Sequence, residues 1–304
     1  MASYLKENSI QILEERYFLR DTKGQIRETP AQFFRRVARH VASAEETEKE
    51  IWTETFYRIM ANFEFLPNSP TLMNAGLMNG QLSACFVLPI EDRLEAIFTT
   101  LKNAALVHQS GGGTGYNFSK LRPKGDFISS SSGRSSGPIA FMKVYDAATE
   151  HVKQGGKRRG ANMGILNVDH PDIEAFIISK SPGKQLQNFN ISVGITDDFM
   201  QAVANNRDWR LINPRTRKIE NTVKAVQLWN SITQEAWKTG DPGLIFLDTI
   251  NKYNPTPGQG QILGTNPCGE VPLLDYESCN LGSLNLTKVL KKVGDKLVID
   301  WSKL

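Results

Sequence analysis

The feature that most limits the folds open to this chain is its run of alternating strand-like and helix-like segments between residues 165 and 247. Apolar stretches at 165–168, 190–195, 209–212 and 244–247 alternate with helical patterns at 172–178, 197–205 and 222–239, the last closed by Gly240. Asp169 and Thr196 fall where N-caps would open the first two helices. Strands separated by helices predict a parallel sheet built of βαβ units, hence an α/β fold. In such sheets the active residues gather on loops at the carboxyl ends of strands.

Upstream the texture differs. Residues 30–42 and 46–63 predict two amphipathic helices, the first with Phe33, Phe34, Val37 and Val41 on one face. Ser43 and Glu46 have the spacing of a capping box for the second. Residues 65–76 read as a proline-bracketed loop, and 83–88 as a short buried strand. Ser69, Thr71 and Ser83 offer hydroxyls to a phosphate or sugar, against the competing reading of turn formers and caps. A helix over 92–109, opened by Asp92, runs into Ser110–Asn117, whose glycines would let backbone N–H groups approach an anion. It is neither a P-loop nor a dinucleotide fingerprint. Residues 129–137 read as a flexible loop. A helix over 139–152 leads into the cationic, glycine-flanked loop 154–160.

The chemistry concentrates at Asn266-Pro267-Cys268-Gly269-Glu270. Pro and Gly make it a loop, and in an extended loop Asn266, Cys268 and Glu270 project together. A buried structural cysteine beside a turn is the competing reading. Three cysteines, none in a Cys-x-x-Cys pair, argue against a disulfide scaffold and a structural zinc site. No run of 18 apolar residues and no apolar N-terminal signal region appear, so a cytoplasmic protein is expected. A net charge of +4 gives no reason to expect a DNA partner. The four histidines, His40, His108, His151 and His170, lack ligand spacing and read as structural or surface groups.

Five motifs, in order, resemble the large catalytic chain of ribonucleotide reductases. They are Leu66–Gly76, Ser83–Cys85, Gly111–Arg122, Gln154–Gly160, and Asn266–Glu270 with Glu277–Gly282. Their wording is similar to the adenosylcobalamin-dependent class. The resemblance implies an N-terminal helical region (1–63), then the first half of a ten-stranded α/β barrel with a finger loop (64–304). It implies that Cys268 is the thiyl-radical cysteine, that Glu270 is the base for the substrate 3′-hydroxyl, and that Asn266 orients the hydroxyls. Cys85 and Cys279 become the pair that supplies two electrons. Ser69, Thr71, Ser83, Ala84 and Gly113 become contacts of a ribonucleoside di- or triphosphate. Asp92 and Arg122 become contacts of a deoxynucleoside triphosphate effector, with Gln154 and Arg158 relaying its identity.

The same resemblance implies a homodimer, a thioredoxin-like reductant, and a need for a complementary C-terminal chain, because the family's second half-barrel has no counterpart here. No ATP-cone is expected. Two other readings are a non-catalytic nucleotide-binding fragment and a catalytic chain served by a separate metal-bearing subunit.

Overall fold

The computed structural model describes residues 5–78, 80–128, 132–152, 160–181 and 185–304, in two compact units: Met1–Ala84 with Asn280–Leu304, and Cys85–Cys279. Among the described residues no helix is long and apolar enough to cross a membrane.

The first unit opens with helices α1 (Glu7–Ile12), α2 (Pro30–Ala42) and α3 (Lys49–Ala61). Phe33, Phe34, Val37 and Ala38 of α2 pack with Tyr57, Met60 and Ala61 of α3 and with Phe18. The capping box expected at Ser43 and Glu46 lies instead at Thr29 and Gln32, opening α2. Ser43 closes α2, its hydroxyl donating to the His40 carbonyl, while α3 begins from Glu48 without a side-chain cap. Pro30 at the first helical position favours the earlier box, because its missing N–H is one the helix start never uses. Strand β1 (Phe65–Pro67) precedes α4 (Ser69–Asn74), where a loop was expected. Asn68 caps α4 by accepting from the Thr71 N–H at 2.8 Å, and Pro70 lies in its first turn. Prolines that look like breakers in sequence are thus helix starters here.

The second unit is a mixed six-stranded sheet. Its strands are β2 (Cys85–Val87), β3 (Gly113–Asn117), β6 (Asn162–Asn167), β7 (Phe189–Ile195), β10 (Gly243–Phe246) and β13 (Ser278–Cys279). The first five lie side by side in chain order and parallel, and β13 joins the β2 edge antiparallel. The fold is α/β, and the sheet curls as half a barrel. Between strands run α5 (Leu94–Gln109), α6 (Pro138–His151), α7 (Ile173–Ile177), α8 (Asp197–Ala204) and α9 (Ala225–Thr239). Thr196 caps α8 as expected, accepting from Phe199 N–H at 3.2 Å. The cap of α7 is Asp172 rather than Asp169, and α5 starts at Leu94, with Asp92 outside it. The helix expected over 222–239 is shorter, because Ile219–Lys224 forms a strand. That strand pairs antiparallel with Asp208–Ile212, so the 209–212 segment belongs to a separate hairpin and not to the parallel sheet.

Because each strand is added beside the last in one direction, right-handed crossovers put the connecting helices on one face. That face is the main core, where Tyr116, Leu166, Phe189, Ile191 and Val193 meet Ile97, Met142, Tyr145, Phe176 and Phe199. A buried polar knot sits within it. Thr114 Oγ1 donates to Asn162 Oδ1 (2.7 Å) and accepts from the Tyr116 hydroxyl (2.7 Å). Its remaining lone pair takes His108 Nε2–H at 2.9 Å. Burial keeps His108 neutral, lowering its pKa from 6.5 to about 4. His170, buried and bonded to the Leu121 carbonyl, is lowered too, again by burial first.

As the medium acidifies, the unfolded chain therefore protonates His108 before the folded one does. The stability it contributes is complete above about pH 6.5 and is lost as pH falls towards about 4. Thermal melts of the protein should fall steeply across that window, and less steeply in His108→Gln, which keeps an amide donor for Thr114. Equal slopes for the two proteins would contradict this.

Candidate active site

Among the described residues no crossover helix packs on the opposite face of the sheet, although the helix Leu247–Lys252 that follows β10 touches it through Leu247 and Ile250. Partner residues in a sheet share a face, so the register puts Cys85, Gly113, Gly115, Asn117, Met163 and Asn190 on this side. The pattern was present in sequence. Along β7, Phe189, Ile191, Val193 and Ile195 face the helices, while Asn190, Ser192 and Gly194 alternate with them. Along β3, Gly113, Gly115 and Asn117 do the same.

A backbone segment runs over this face. The short strands β11 (Gly264–Thr265) and β12 (Pro272–Leu273) pair antiparallel, and the residues between them fold as a turn. A Cβ on Gly115 would lie 1.7 Å from the Thr265 carbonyl oxygen, and one on Gly113 would lie 2.5 Å from Pro267 Cγ. Only glycine at those two positions leaves a track for the loop. Carboxamides then hold it. Asn117 Nδ2 donates to the Leu263 carbonyl at 2.9 Å, and Asn190 Nδ2 to the Pro267 carbonyl at 2.7 Å. The glycine-rich stretch expected to form an anion-binding turn is thus, from Gly113 on, an interior strand beneath the loop.

The loop is not extended. Gly269 N–H donates back to the Asn266 carbonyl at 3.0 Å and Gly269 has φ +82°, so the tip is a tight turn. The expectation that Asn266, Cys268 and Glu270 project together fails for this reason. Asn266 is fully buried, whereas Cys268 and Glu270 are exposed on the tip. Asn266 Oδ1 accepts from Val271 N–H at 3.0 Å, and its Nδ2 donates to Cys85 Sγ at 3.6 Å.

Cys85 opens β2 and Cys279 closes β13, and they are direct cross-strand partners. Residues so opposed in an antiparallel pair have Cα atoms roughly 4.5–5.5 Å apart, within the roughly 4.4–6.8 Å a disulfide spans. All three cysteines are thiols here, with Cys85 and Cys279 buried and Cys268 exposed. Two residues nearly 200 positions apart therefore form a ready dithiol beneath the turn that carries the third. The site lies at the amino ends of β2, β3 and β7, not at the carboxyl ends expected of a parallel sheet. The loop enters near Asn117, at the far end of β3, and runs back along the face.

Residues 83–304 match the family model described as ribonucleotide reductase, barrel domain, and residues 3–80 match ribonucleotide reductase, all-alpha domain. The chain belongs to the ribonucleotide reductase family. It is 48% identical to a vitamin B12-dependent ribonucleoside-diphosphate reductase of Thermoplasma acidophilum, over 98% of this chain and 46% of that protein. It is 50% identical to one of Mycobacterium tuberculosis (strain CDC 1551 / Oshkosh), over 97% of this chain and 43% of that protein. A ribonucleoside-diphosphate reductase subunit alpha of Chlamydia trachomatis is 32% identical over 95% of this chain and 30% of its own length. The chain thus spans less than half the length of these reductases.

The remaining sequence-derived residues fall in three places. Asp92 and Arg122 meet, Arg122 Nε to Asp92 Oδ2 at 2.7 Å, on the wall of a cavity of about 510 Å³. Ser69, Thr71, Ser83 and Ala84 belong to the first unit, where the Ser69 hydroxyl meets Tyr17 OH (3.0 Å) and Thr71 Oγ1 donates to the Leu82 carbonyl (3.0 Å). Gln154 and Arg158 lie outside the described residues. Sequence reasoning missed Asn117, Asn190 and Gly115, whose signal was the polar or small alternation within otherwise apolar strands.

A mild oxidant should join Cys85 to Cys279 while iodoacetamide labels Cys268 first, both read by peptide mass spectrometry; a disulfide to Cys268 would contradict the register. Gly115→Ala should displace the loop and so change the rate at which iodoacetamide labels Cys268; an unchanged rate would contradict the close approach of Thr265 to Gly115.

Proposed function

We propose that this chain supplies the thiol chemistry of an adenosylcobalamin-dependent ribonucleotide reductase, converting ribonucleoside diphosphates to 2′-deoxyribonucleotides. The observation that carries the reading is the opposed pair Cys85 and Cys279 beneath the turn bearing Cys268. The diphosphate preference and the cofactor come from the names of the 48–50% identical relatives.

The residues fit such a cofactor in one respect that bears on chemistry. Of the three sulfurs only Cys268 is exposed, at the tip of a braced turn, so it alone is open to a radical generated outside the protein core. Bound adenosylcobalamin supplies a carbon-centred radical able to oxidise a thiol by one electron. In our reading the Cys268 sulfur takes the 3′-hydrogen of the ribose, and Glu270, one residue beyond Gly269, accepts the 3′-hydroxyl proton. The 2′-hydroxyl then leaves as water, with a proton from the dithiol. Cys85 and Cys279 give up two electrons and two protons in all and close into a disulfide. Ribonucleotide and dithiol thus become deoxyribonucleotide, water and disulfide, and the 3′-hydrogen returns from Cys268. Asn266 spends one N–H on Cys85, which leaves its second for a substrate hydroxyl. Gly113 keeps the turn low over β3.

The cavity walled by Asp92 and Arg122 takes the deoxynucleoside triphosphate effector, with Gln154 and Arg158 reading its base. A disulfide formed between buried sulfurs calls for an external dithiol of thioredoxin type. Leu94, Phe98 and Leu106, exposed at helical spacing along α5, support pairing with a second copy. Turnover needs the remaining length that the relatives possess, supplied in the same or a complementary chain.

In the full-length enzyme with adenosylcobalamin and dithiothreitol, Cys268→Ala should lose turnover by about 10⁴-fold or more, the scale seen when one member of a catalytic unit is removed. Cys85→Ser and Cys279→Ser should fail likewise without losing nucleotide binding. Retained turnover in Cys268→Ala would refute the assignment and favour a binding role.

A further inference from the structure

The hairpin of β8 (Asp208–Ile212) and β9 (Ile219–Lys224) adds nothing to the six-stranded sheet and has no part in the chemistry above. Its turn nevertheless projects Arg215 onto Asp126. Arg215 Nη2 donates to Asp126 Oδ1 at 2.7 Å and Nε to Oδ2 at 2.9 Å, and Asn213 Nδ2 adds a third contact to Oδ2 at 3.3 Å. Two parallel bonds between a planar guanidinium and a carboxylate fix direction as well as distance. The Asp126 side chain is only 10% exposed, so this pair is better shielded than an ordinary surface bridge.

Asp126 stands at the root of a second, smaller ribbon. Strands β4 (Phe127–Ile128) and β5 (Gly133–Arg134) pair antiparallel, and the ladder continues downward as Ser135 N–H donates to the Asp126 carbonyl at 2.8 Å. So short a two-stranded ribbon holds little stability of its own and depends on what grips its base. Ile128, Arg134 and Ser135 line the 510 Å³ cavity together with Asp92 and Arg122. Arg122 closes the circuit, with Nη1 donating to the Phe127 carbonyl at 3.3 Å and Nε to Asp92. Two sets of charge-assisted bonds, Arg215 to Asp126 and Arg122 to the Phe127 carbonyl and Asp92, are thus joined through the Asp126–Phe127 backbone and link the hairpin turn to the cavity's carboxylate. The Arg215 guanidinium, in turn, has its pKa raised by Asp126 first, and feels Asp92 and Glu220 beyond it.

We propose that Arg215 and Asp126 are positioning residues that clamp the β4–β5 wall of the cavity and thereby set how tightly it holds a deoxynucleoside triphosphate. They do so without touching the nucleotide or the thiols. This rests on reading the cavity as the effector site. The β8–β9 hairpin is then a fixed buttress for a wall that would otherwise sag open.

The test uses the full-length reductase carrying Arg215→Ala, Arg215→Lys, Asp126→Asn, or the exchanged pair Asp126→Arg with Arg215→Asp. Binding of dTTP and dATP is measured by equilibrium dialysis, alongside effector-free turnover and thermal midpoint. In Arg215→Ala and Asp126→Asn the Kd should rise by about tenfold, within the usual range of coupling between sites. Effector-free turnover should stay within about twofold, as expected of groups remote from the chemistry. Arg215→Lys should fall between wild type and Arg215→Ala, because an ammonium restores charge but not the two-point contact. The exchanged pair should regain affinity lost in either single variant. Unchanged Kd in the variants of a wild-type protein that binds overturns the clamp alone. So do turnover and thermal midpoint falling in step with affinity, the mark of a merely structural role. A wild-type protein that binds neither nucleotide overturns the effector reading, and the clamp with it.

Discussion

A polypeptide can cross the face of a β-sheet at backbone contact distance only where the sheet presents no side chains, and the site depends on that constraint. Gly113 and Gly115 clear the path, since a methyl group at Gly115 would sit 1.7 Å from the Thr265 carbonyl oxygen. Once the path is clear, the loop's exposed polar groups need partners, and Asn117 and Asn190 supply them from the same face. The loop thus takes the place a helix layer would occupy on the other side of the sheet. It is fixed by hydrogen bonds to strands, which move less than loops, so its tip and the Cys268 sulfur it carries are held in place over the sheet.

The dithiol depends on a second departure from simple βαβ architecture. A parallel neighbour for β2 would require a crossover, and the last strand avoids one by joining antiparallel at the edge. Direct opposition of Cys85 and Cys279 follows from that pairing, and a slip of one residue would turn Cys279 to the helix-packed face. Asn266 then ties the loop to the pair through its bond to Cys85. Loop, strand and edge strand become one object, though they come from residues 85, 266 and 279.

Some of this was legible in the chain and some was not, for identifiable reasons. The helix over 139–152, the cap at Thr196 and the strand at 190–195 followed from local pattern, and the structure has them within a residue or two. The segment at 65–76 misled because Pro near a helix start and Pro in a loop look alike. The 219–224 strand was hidden because it is largely exposed and polar, with no alternation to mark it. The capping box was assigned to the wrong helix because Ser and Thr with a downstream Glu or Gln recur by chance, and only backbone geometry chooses among them. The amino-end location of the site was missed because the rule for parallel sheets describes loops that stay at the strand ends, and this one runs the length of the strand.

The sequence by itself determined which atoms were available. It set three thiols, one beside a carboxylate in a Pro- and Gly-bounded loop, and the strand–helix alternation that requires a parallel sheet. The helix-facing positions of β7 were likewise fixed by a period-two pattern of apolar residues. What only the tertiary structure decided was which of those atoms meet. Register between β13 and β2, and the lie of the loop across Gly113 and Gly115, are set by contacts between residues far apart in the chain. Such contacts depend on shape and packing that no local pattern encodes, so the sequence could name the cysteines but could not place two of them side by side.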